Sequence, residues 1–166
     1  PIKIVPTFVA WIIILTGIEI LQNGAESQGF NEGAKYAKIL LFVSIIGGLA
    51  LLFSGEAINN SIIFSYLPII TVTLELLFAY KILEGSIEDL RTKDMEMKAS
   101  ELEYSQKVYT ILYTIVTICF IIAITFKIVF LMTITAIFAL IIRIYLMTII
   151  NNLKKLYLPS SDVLES

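Results

Sequence analysis

The sequence has no histidine, one cysteine and few charged residues, and each shortage excludes a class of protein. Without histidine the chain has no imidazole to act as a general base, a metal ligand or a pH switch near neutrality. The single cysteine, Cys119, lies in an apolar run, which excludes a disulfide framework and a cysteine-rich metal site. We therefore expect no catalytic residue, no metal and no cofactor, and we interpret Cys119 as a small apolar side chain.

The scarcity of charge indicates a membrane protein. Only 16% of the 166 residues are charged, 58% are hydrophobic, and the mean hydropathy is +0.89. Soluble domains average about 25% charged residues, so this composition predicts a multi-pass protein of the cell membrane, with the lipid bilayer as its surroundings. The 12 basic and 14 acidic residues leave a net charge of -2, which does not favour binding of nucleic acid.

Five apolar stretches are long enough to cross a bilayer, whose hydrocarbon core of about 30 Å needs about 20 helical residues. They cover residues 4–21, 37–53, 62–83, 108–126 and 128–150. The last two form one apolar run about twice the hydrocarbon thickness, so the chain must turn back within it. We place this turn near Lys127, although no Gly, Pro, Asn or Asp marks it. The predicted fold is all-α, a single transmembrane bundle of about five helices over residues 1–166.

The distribution of basic residues predicts the orientation. One side of the predicted bundle carries nine basic residues, and the other side carries only Lys3 and Lys127. The nine are Lys35, Lys38, Lys81, Arg91, Lys93, Lys98, Lys107, Lys154 and Lys155. Because basic loops stay in the cytoplasm, we expect the N-terminus outside and the C-terminus inside. Since the chain starts at Pro1 rather than Met, we also expect an upstream signal peptide or helix.

Residues that typically begin or end helices refine the division of the chain into five spans. Asn31, followed by an acid, is expected to start the second helix, and Gly85 to end the third. Ser86 with Asp89 resembles a capping box, which predicts a separate helix from about 87 to 99. We interpret the charged segment 84–107 as a solvated cytoplasmic helical hairpin, because its apolar residues are scattered among charges. It is the sequence's best candidate for contacting a protein partner.

Glu19, Glu75 and Arg143 are the charged candidates inside the spans, where a charge costs about 2.5 to 3.5 kcal/mol near the bilayer centre. Glu75 and Arg143 lie at similar depth, about 12 and 10 Å from the cytoplasmic ends of their spans. They are expected to pair and fix the packing of two helices, or to line a polar cavity, unless Arg143 extends to the interface instead. Glu19 lies near the end of its span, where its carboxylate reaches head groups or water.

Two threonines are secondary candidates for the same sites. Thr71 shares a helix face with Glu75, and Thr114 lies on the fourth span. Such hydroxyls usually bond to a neighbouring helix or to their own backbone, and lining a transport path is the alternative. The preferred interpretation is a non-enzymatic subunit or regulator of a membrane assembly. The alternative is a small transporter or channel that uses a buried Glu75 and Arg143 pair.

The N-terminal residues resemble those of a known group of proteins. They are the run from Val5 to Ile13, Val-Pro-Thr-Phe-Val-Ala-Trp-Ile-Ile, followed by Gly17, Phe30 and Ala34-Lys35. It resembles small, functionally unassigned membrane proteins of Gram-positive bacteria, whose members tend to show Leu-Pro-Asp-Phe-Ile-Gly-Tyr near the start. The resemblance covers about the first 40 residues and implies a bacterial source and a preceding hydrophobic helix. Here threonine replaces the acid, alanine the glycine and tryptophan the tyrosine, and no activity or site is implied.

Overall fold

The computed structural model describes residues 7–25, 27–54 and 62–157. These residues form five helices and, within those ranges, no strand, so the chain is all-α as the composition predicts. The helices are α1 (Thr7–Gly24), α2 (Gln28–Ser54), α3 (Ile62–Thr92), α4 (Glu96–Thr125) and α5 (Val129–Tyr157). Each of the five predicted spans overlaps one of them.

Three helices are long and apolar enough to cross a membrane among the residues described. They are Tyr66–Thr92 in α3, Glu96–Thr125 in α4 and Val129–Leu153 in α5. Helix α1 contributes a shorter apolar stretch, Phe8–Asn23. The number of crossings and the orientation stay predictions from the sequence.

The chain divides into two compact units, Pro1–Gln106 and Lys107–Ser166. In the first unit, α2 packs against both α1 and α3. Its core is apolar, with Phe30, Ala37 and Leu40 of α2 fully buried beside Trp11 of α1. The rings of Trp11 and Phe78 on α3 form a T-shaped pair, with ring centroids 5.4 Å apart. Burial of these apolar side chains is a main contribution to the packing of the three helices.

Helices α2 and α3 are in close contact at two glycines, Gly29 and Gly85. A Cβ atom on Gly29 would lie 2.5 Å from the backbone nitrogen of Gly85. A Cβ atom on Gly85 would lie 2.9 Å from the backbone nitrogen of Phe30 and 2.9 Å from Ser27 Oγ. The two backbones are therefore in contact, and neither position has room for a side chain.

Helix α2 begins three residues before the sequence signal predicts. Its first residue is Gln28, and the hydroxyl of the preceding Ser27 accepts a hydrogen bond of 3.1 Å from the backbone N–H of Gly29. Ser27 is thus the N-cap. The Ser27 hydroxyl donates to Glu88 Oε2 of α3 at 2.6 Å, so the carboxylate lies near the positive end of the helix. The predicted start at Asn31 is wrong, because this cap draws its second partner from a distant part of the chain.

Helix α3 does not end at Gly85. It continues to Thr92, so the predicted start of a new helix at Ser86 is wrong. Ser86 is buried inside α3, and its hydroxyl donates to the carbonyl of Ile82 at 2.9 Å. Gly85 serves the contact with α2 instead of a helix end, and that contact outweighs its low helix propensity.

Two turns with the same geometry join α3 to α4 and α4 to α5. At the first, Asp94 has φ 57°, Met95 N–H donates to Leu90 O at 2.9 Å, and Asp94 N–H donates to Arg91 O. At the second, Lys127 has φ 54°, and the N–H of Ile128 donates to Ala123 O at 2.9 Å. Both are Schellman motifs built without glycine. The second lies where the sequence places the turn in its longest apolar run.

Candidate functional site

The residues expected to form an intramembrane pair lie on different units. Glu75 is half-buried on α3 in the first unit, and Arg143 is exposed on α5 in the second. Each unit has its own internal geometry, so the pairing of Glu75 with Arg143 stays a prediction from the sequence.

The two threonine candidates differ in their surroundings. The hydroxyl of Thr71 donates to the carbonyl of Leu67 one turn earlier, at 3.0 Å. Thr114 is exposed on α4. The neighbouring Thr117 also donates to its own helix, to the carbonyl of Tyr113 at 2.8 Å. The hydroxyls of Thr71 and Thr117 therefore satisfy their hydrogen bonding within their own helices.

Glu19, the third candidate, lines an open groove of about 700 Å³ between α1 and α2. The lining residues recur every three or four positions on each helix, so one face of α1 meets one face of α2. They are Ile12, Leu15, Thr16, Glu19 and Gln22 from α1, and Asn31, Ala34, Lys35, Lys38 and Leu41 from α2. This groove combines the candidate Glu19 with Lys35 and Lys38, two of the basic residues from which the orientation is predicted.

The groove changes from polar to apolar along its length. At the end nearest the connection between the helices, Gln22 Nε2 donates to Asn31 Oδ1 at 2.8 Å and joins the two walls. Glu19, Lys35 and Lys38 follow, and the far end is lined by Ile12 and Leu41. The spacing of Lys35 and Lys38, three residues apart, is the sequence signal that places both on one face. The arrangement can hold an amphipathic molecule.

A separate charge cluster crosses from α2 to α3 close to the two glycines. Lys81 Nζ lies 2.7 Å from Glu32 Oε2 and 2.7 Å from Glu84 Oε2. Gln28 Nε2 donates to the other oxygen of Glu32 at 3.3 Å. The hydrogen bond from Lys81, and then its positive charge, hold the pKa of Glu32 below its ordinary value. All three charged side chains are partly exposed, so this cluster is a structural link between helices with a modest contribution to stability.

The charged segment predicted as a hairpin is the end of α3 and the start of α4. Arg91 joins the two helices, with Nη2 2.8 Å from Glu103 Oε2 and Nε 3.4 Å from Glu96 Oε1. Beneath these ion pairs, Leu90, Ala99 and Leu102 are buried. The hairpin is therefore a packed structure with its own apolar contacts.

The outer face of this hairpin carries two large exposed side chains on α4. Met97 is 74% exposed and Tyr104 is 71% exposed. They are seven residues apart, which places them two turns apart on one face, with the exposed Glu101 between them. Methionine and tyrosine are residue types enriched in protein interfaces. The sequence pattern missed this face, because its scattered apolar residues divide between a buried and an exposed side.

The described residues offer few side chains for metal binding or thiol chemistry. In residues 7–25, 27–54 and 62–157, no group of three or more His, Cys, Asp or Glu side chains is placed to hold a metal ion. Cys119 is half-buried within α4. What the described geometry offers is binding surface: one groove and one exposed hairpin face.

Comparison of the chain with protein-family models, with curated proteins and with solved structures found no significant match. The class of protein therefore rests on the fold and composition, which in the part of the chain that the structure describes define an all-α protein with three helices able to cross a membrane.

Proposed function

We propose that this chain is a non-enzymatic, multi-pass protein of a bacterial cell membrane that serves as a subunit or regulator of a membrane assembly. It docks a protein partner on the hairpin face formed by Met97, Glu101 and Tyr104. The resemblance of its N-terminal residues to small Gram-positive membrane proteins belongs to the same proposal, as does a cytoplasmic hairpin, which the distribution of basic residues predicts.

The observation that carries the proposal is the exposure of Met97 and Tyr104 on a hairpin that is otherwise well packed. Two large side chains on a charged segment, each more than two thirds exposed, gain little from folding and much from burial against a partner. Ion pairs of Arg91 with Glu96 and Glu103 join the start of α4 to α3, so the hairpin face is already ordered before a partner binds. Preorganisation lowers the entropy lost on binding.

A double substitution tests this face. Met97→Ala with Tyr104→Ala removes both anchors, and Met147→Ala with Tyr66→Ala is the matched control, since Met147 is 70% and Tyr66 48% exposed elsewhere. We expect a specific protein to copurify from native membranes with the wild type and the control, and its recovery to fall roughly tenfold or more with the hairpin variant. Quantitative mass spectrometry measures the recovery.

Two outcomes contradict the proposal. If no specific protein copurifies with the wild type after crosslinking, the subunit or regulator function is wrong. If a partner is retained equally by the hairpin variant and the control, the docking face lies elsewhere.

A small transporter is the second candidate, because a carboxylate inside an apolar helix is expensive and Glu75 is half-buried in the Tyr66–Thr92 span. Its test is flux of protons and monovalent ions into liposomes containing the purified protein. Flux that is abolished by Glu75→Gln, and unaffected by Glu101→Gln on the hairpin, favours transport over the subunit function. Absence of flux with the wild type removes this candidate for those ions.

A further inference from the structure

We propose that the groove between α1 and α2 binds an anionic phospholipid with a hydroxylated head group, of the phosphatidylglycerol type. Nothing in the proposed docking of a protein partner requires this site, which lies on other helices than the hairpin face.

The polarity of the groove matches the polarity of a phospholipid. Its polar part holds Glu19, Lys35 and Lys38, and its far end holds Ile12 and Leu41. Helices α1 and α2 run antiparallel here, because only a short connection separates Gly24 from Gln28. A phosphate beside the lysines therefore lets an acyl chain follow the apolar end of both helices. A molecule that is polar throughout would leave that end uncovered.

The charge of the groove selects an anion. Two lysines and one glutamate give a net charge of +1, and in the described part of the chain no ion pair within 4 Å joins any of these three to another side chain. One phosphodiester group carries the opposite charge. A zwitterionic lipid would leave the excess positive charge uncompensated, so charge complementarity favours an anionic lipid.

Glu19 selects the head group. A carboxylate repels a phosphate, but it accepts hydrogen bonds from hydroxyl groups. With the phosphate at Lys35 and Lys38, a head-group glycerol on the same lipid can donate to Glu19. This position gives the carboxylate a partner and separates it from the phosphate.

The surroundings of the groove identify a lipid rather than a soluble phosphate as the source of this anion. Helix α1 presents Ile13, 67% exposed, and Ile20, 69% exposed. Side chains of this type lie against acyl chains in a membrane protein, so the groove opens where lipid is the neighbouring molecule.

Native mass spectrometry of the purified protein tests the site, with phosphatidylglycerol and phosphatidylcholine supplied at equal concentration in detergent. The variant is Lys35→Gln with Lys38→Gln, and the control, Lys98→Gln with Lys127→Gln, loses the same charge outside the groove. We expect the wild type and the control to prefer phosphatidylglycerol. In the groove variant this preference should fall by roughly fivefold for each lysine removed. Thermal unfolding in phosphatidylcholine alone confirms that both variants are folded.

Three results would contradict the proposed lipid site. Equal loss of preference in the control and the groove variant would show diffuse attraction to basic residues, and the proposal would be wrong. Retention of the preference in the groove variant would also overturn it. If glycerol 1-phosphate displaces phosphatidylglycerol at equal concentration, the groove recognises a free phosphate and the assignment to a lipid is wrong.

A third variant tests the head group. Glu19→Leu removes the acceptor, so it should abolish the preference for phosphatidylglycerol over phosphatidic acid, which lacks the glycerol head, while both lipids still bind. An unchanged preference between these two lipids would contradict the role of Glu19.

Discussion

Glu32 links α2 to α3 through a charge, so it makes stability depend on pH. Its pKa is lowered in the folded chain, hence it stabilises the fold above the ordinary carboxyl pKa of 4.5 and loses this effect as the pH falls through the lowered value. We expect Glu32→Gln to lower the Tm at neutral pH, and the difference from the wild type to close in acid. Thermal unfolding in detergent between about pH 7 and about pH 3 measures it.

Glu101→Gln is the control for this prediction. Glu101 also pairs with a lysine, but that lysine lies on the same helix and both side chains are exposed, so the pair joins no two helices. Its Tm difference from the wild type should be small at every pH. A Glu32→Gln variant with the same Tm as the wild type at neutral pH would show that the Lys81 contact contributes nothing.

Gly85 lies against the α2 backbone, and a methyl group there has no space. Because its nearest neighbours include a backbone nitrogen, Gly85→Ala must move one helix, and we expect a loss of about 1 to 3 kcal/mol or more. Gly17→Ala is the control, since no atom lies within 4 Å of its Cβ position. The free energy of unfolding in a mixed detergent titration measures both. Equal effects of the two substitutions would contradict the close contact.

At the residue scale, the sequence identifies charged residues that are unfavourable inside a membrane more readily than the residues that lie beside them. Glu19 could be recognised as unusual because charge is expensive in an apolar run. Its grouping with Lys35 and Lys38 could not be predicted, because it depends on which faces of α1 and α2 meet. Gly85 was misinterpreted for a similar reason, since a glycine at a helix end and a glycine in a helix contact look alike in one sequence.

The turn between α4 and α5 uses a lysine where most helices use glycine. Lys127 has φ 54°, a conformation that costs a residue with a Cβ about 1 to 2 kcal/mol. We therefore expect Lys127→Gly to stabilise the protein, by about 1 kcal/mol. Lys98→Gly, within the regular part of α4, should destabilise it by about 1 kcal/mol. Chemical unfolding of both variants in detergent shows the opposite signs, and destabilisation by Lys127→Gly would contradict the turn geometry.

The helix ends show what the sequence could not predict at this scale. A capping box needs Glu or Gln three residues after the cap, but Phe30 occupies that position after Ser27. The carboxylate comes from Glu88 on another helix, so no local pattern signals this start. Ser86 and Asp89 showed the opposite error. They fit a capping pattern, but both are buried within a continuous helix.

The orientation of the whole chain in the membrane is tested by cysteine labelling. In a Cys119→Ala background, the positions Gln28, Asn59 and Met97 receive single cysteines; Gln28 and Met97 are exposed, and Asn59 lies outside the described residues. From the distribution of basic residues we expect labelling of Gln28 and Met97 from the cytoplasm and of Asn59 from outside. Labelling of Asn59 only from the cytoplasm would reverse the predicted topology.

At the scale of the molecule, composition was sufficient for the fold class and insufficient for its internal organisation. An apolar chain without strand-like alternation predicts helices, and five are present in the described ranges. The division into two compact units at Gln106 falls inside α4. Nothing in the local sequence marks it, because it arises from contacts between distant residues.

The continuity of α3 through Gly85 gives the helix a mechanical property. Its 31 residues extend about 46 Å, whereas the hydrocarbon core is about 30 Å thick. If α3 crosses the bilayer, about a third of the helix extends beyond the hydrocarbon core as a lever arm. A change of about 10° in its tilt about the centre of the bilayer then displaces the end at Thr92 by about 5 Å. Since Arg91 holds the first turns of α4 to this arm, Met97 and Tyr104 move with it, and a small rocking of one span is amplified where a partner would sense it.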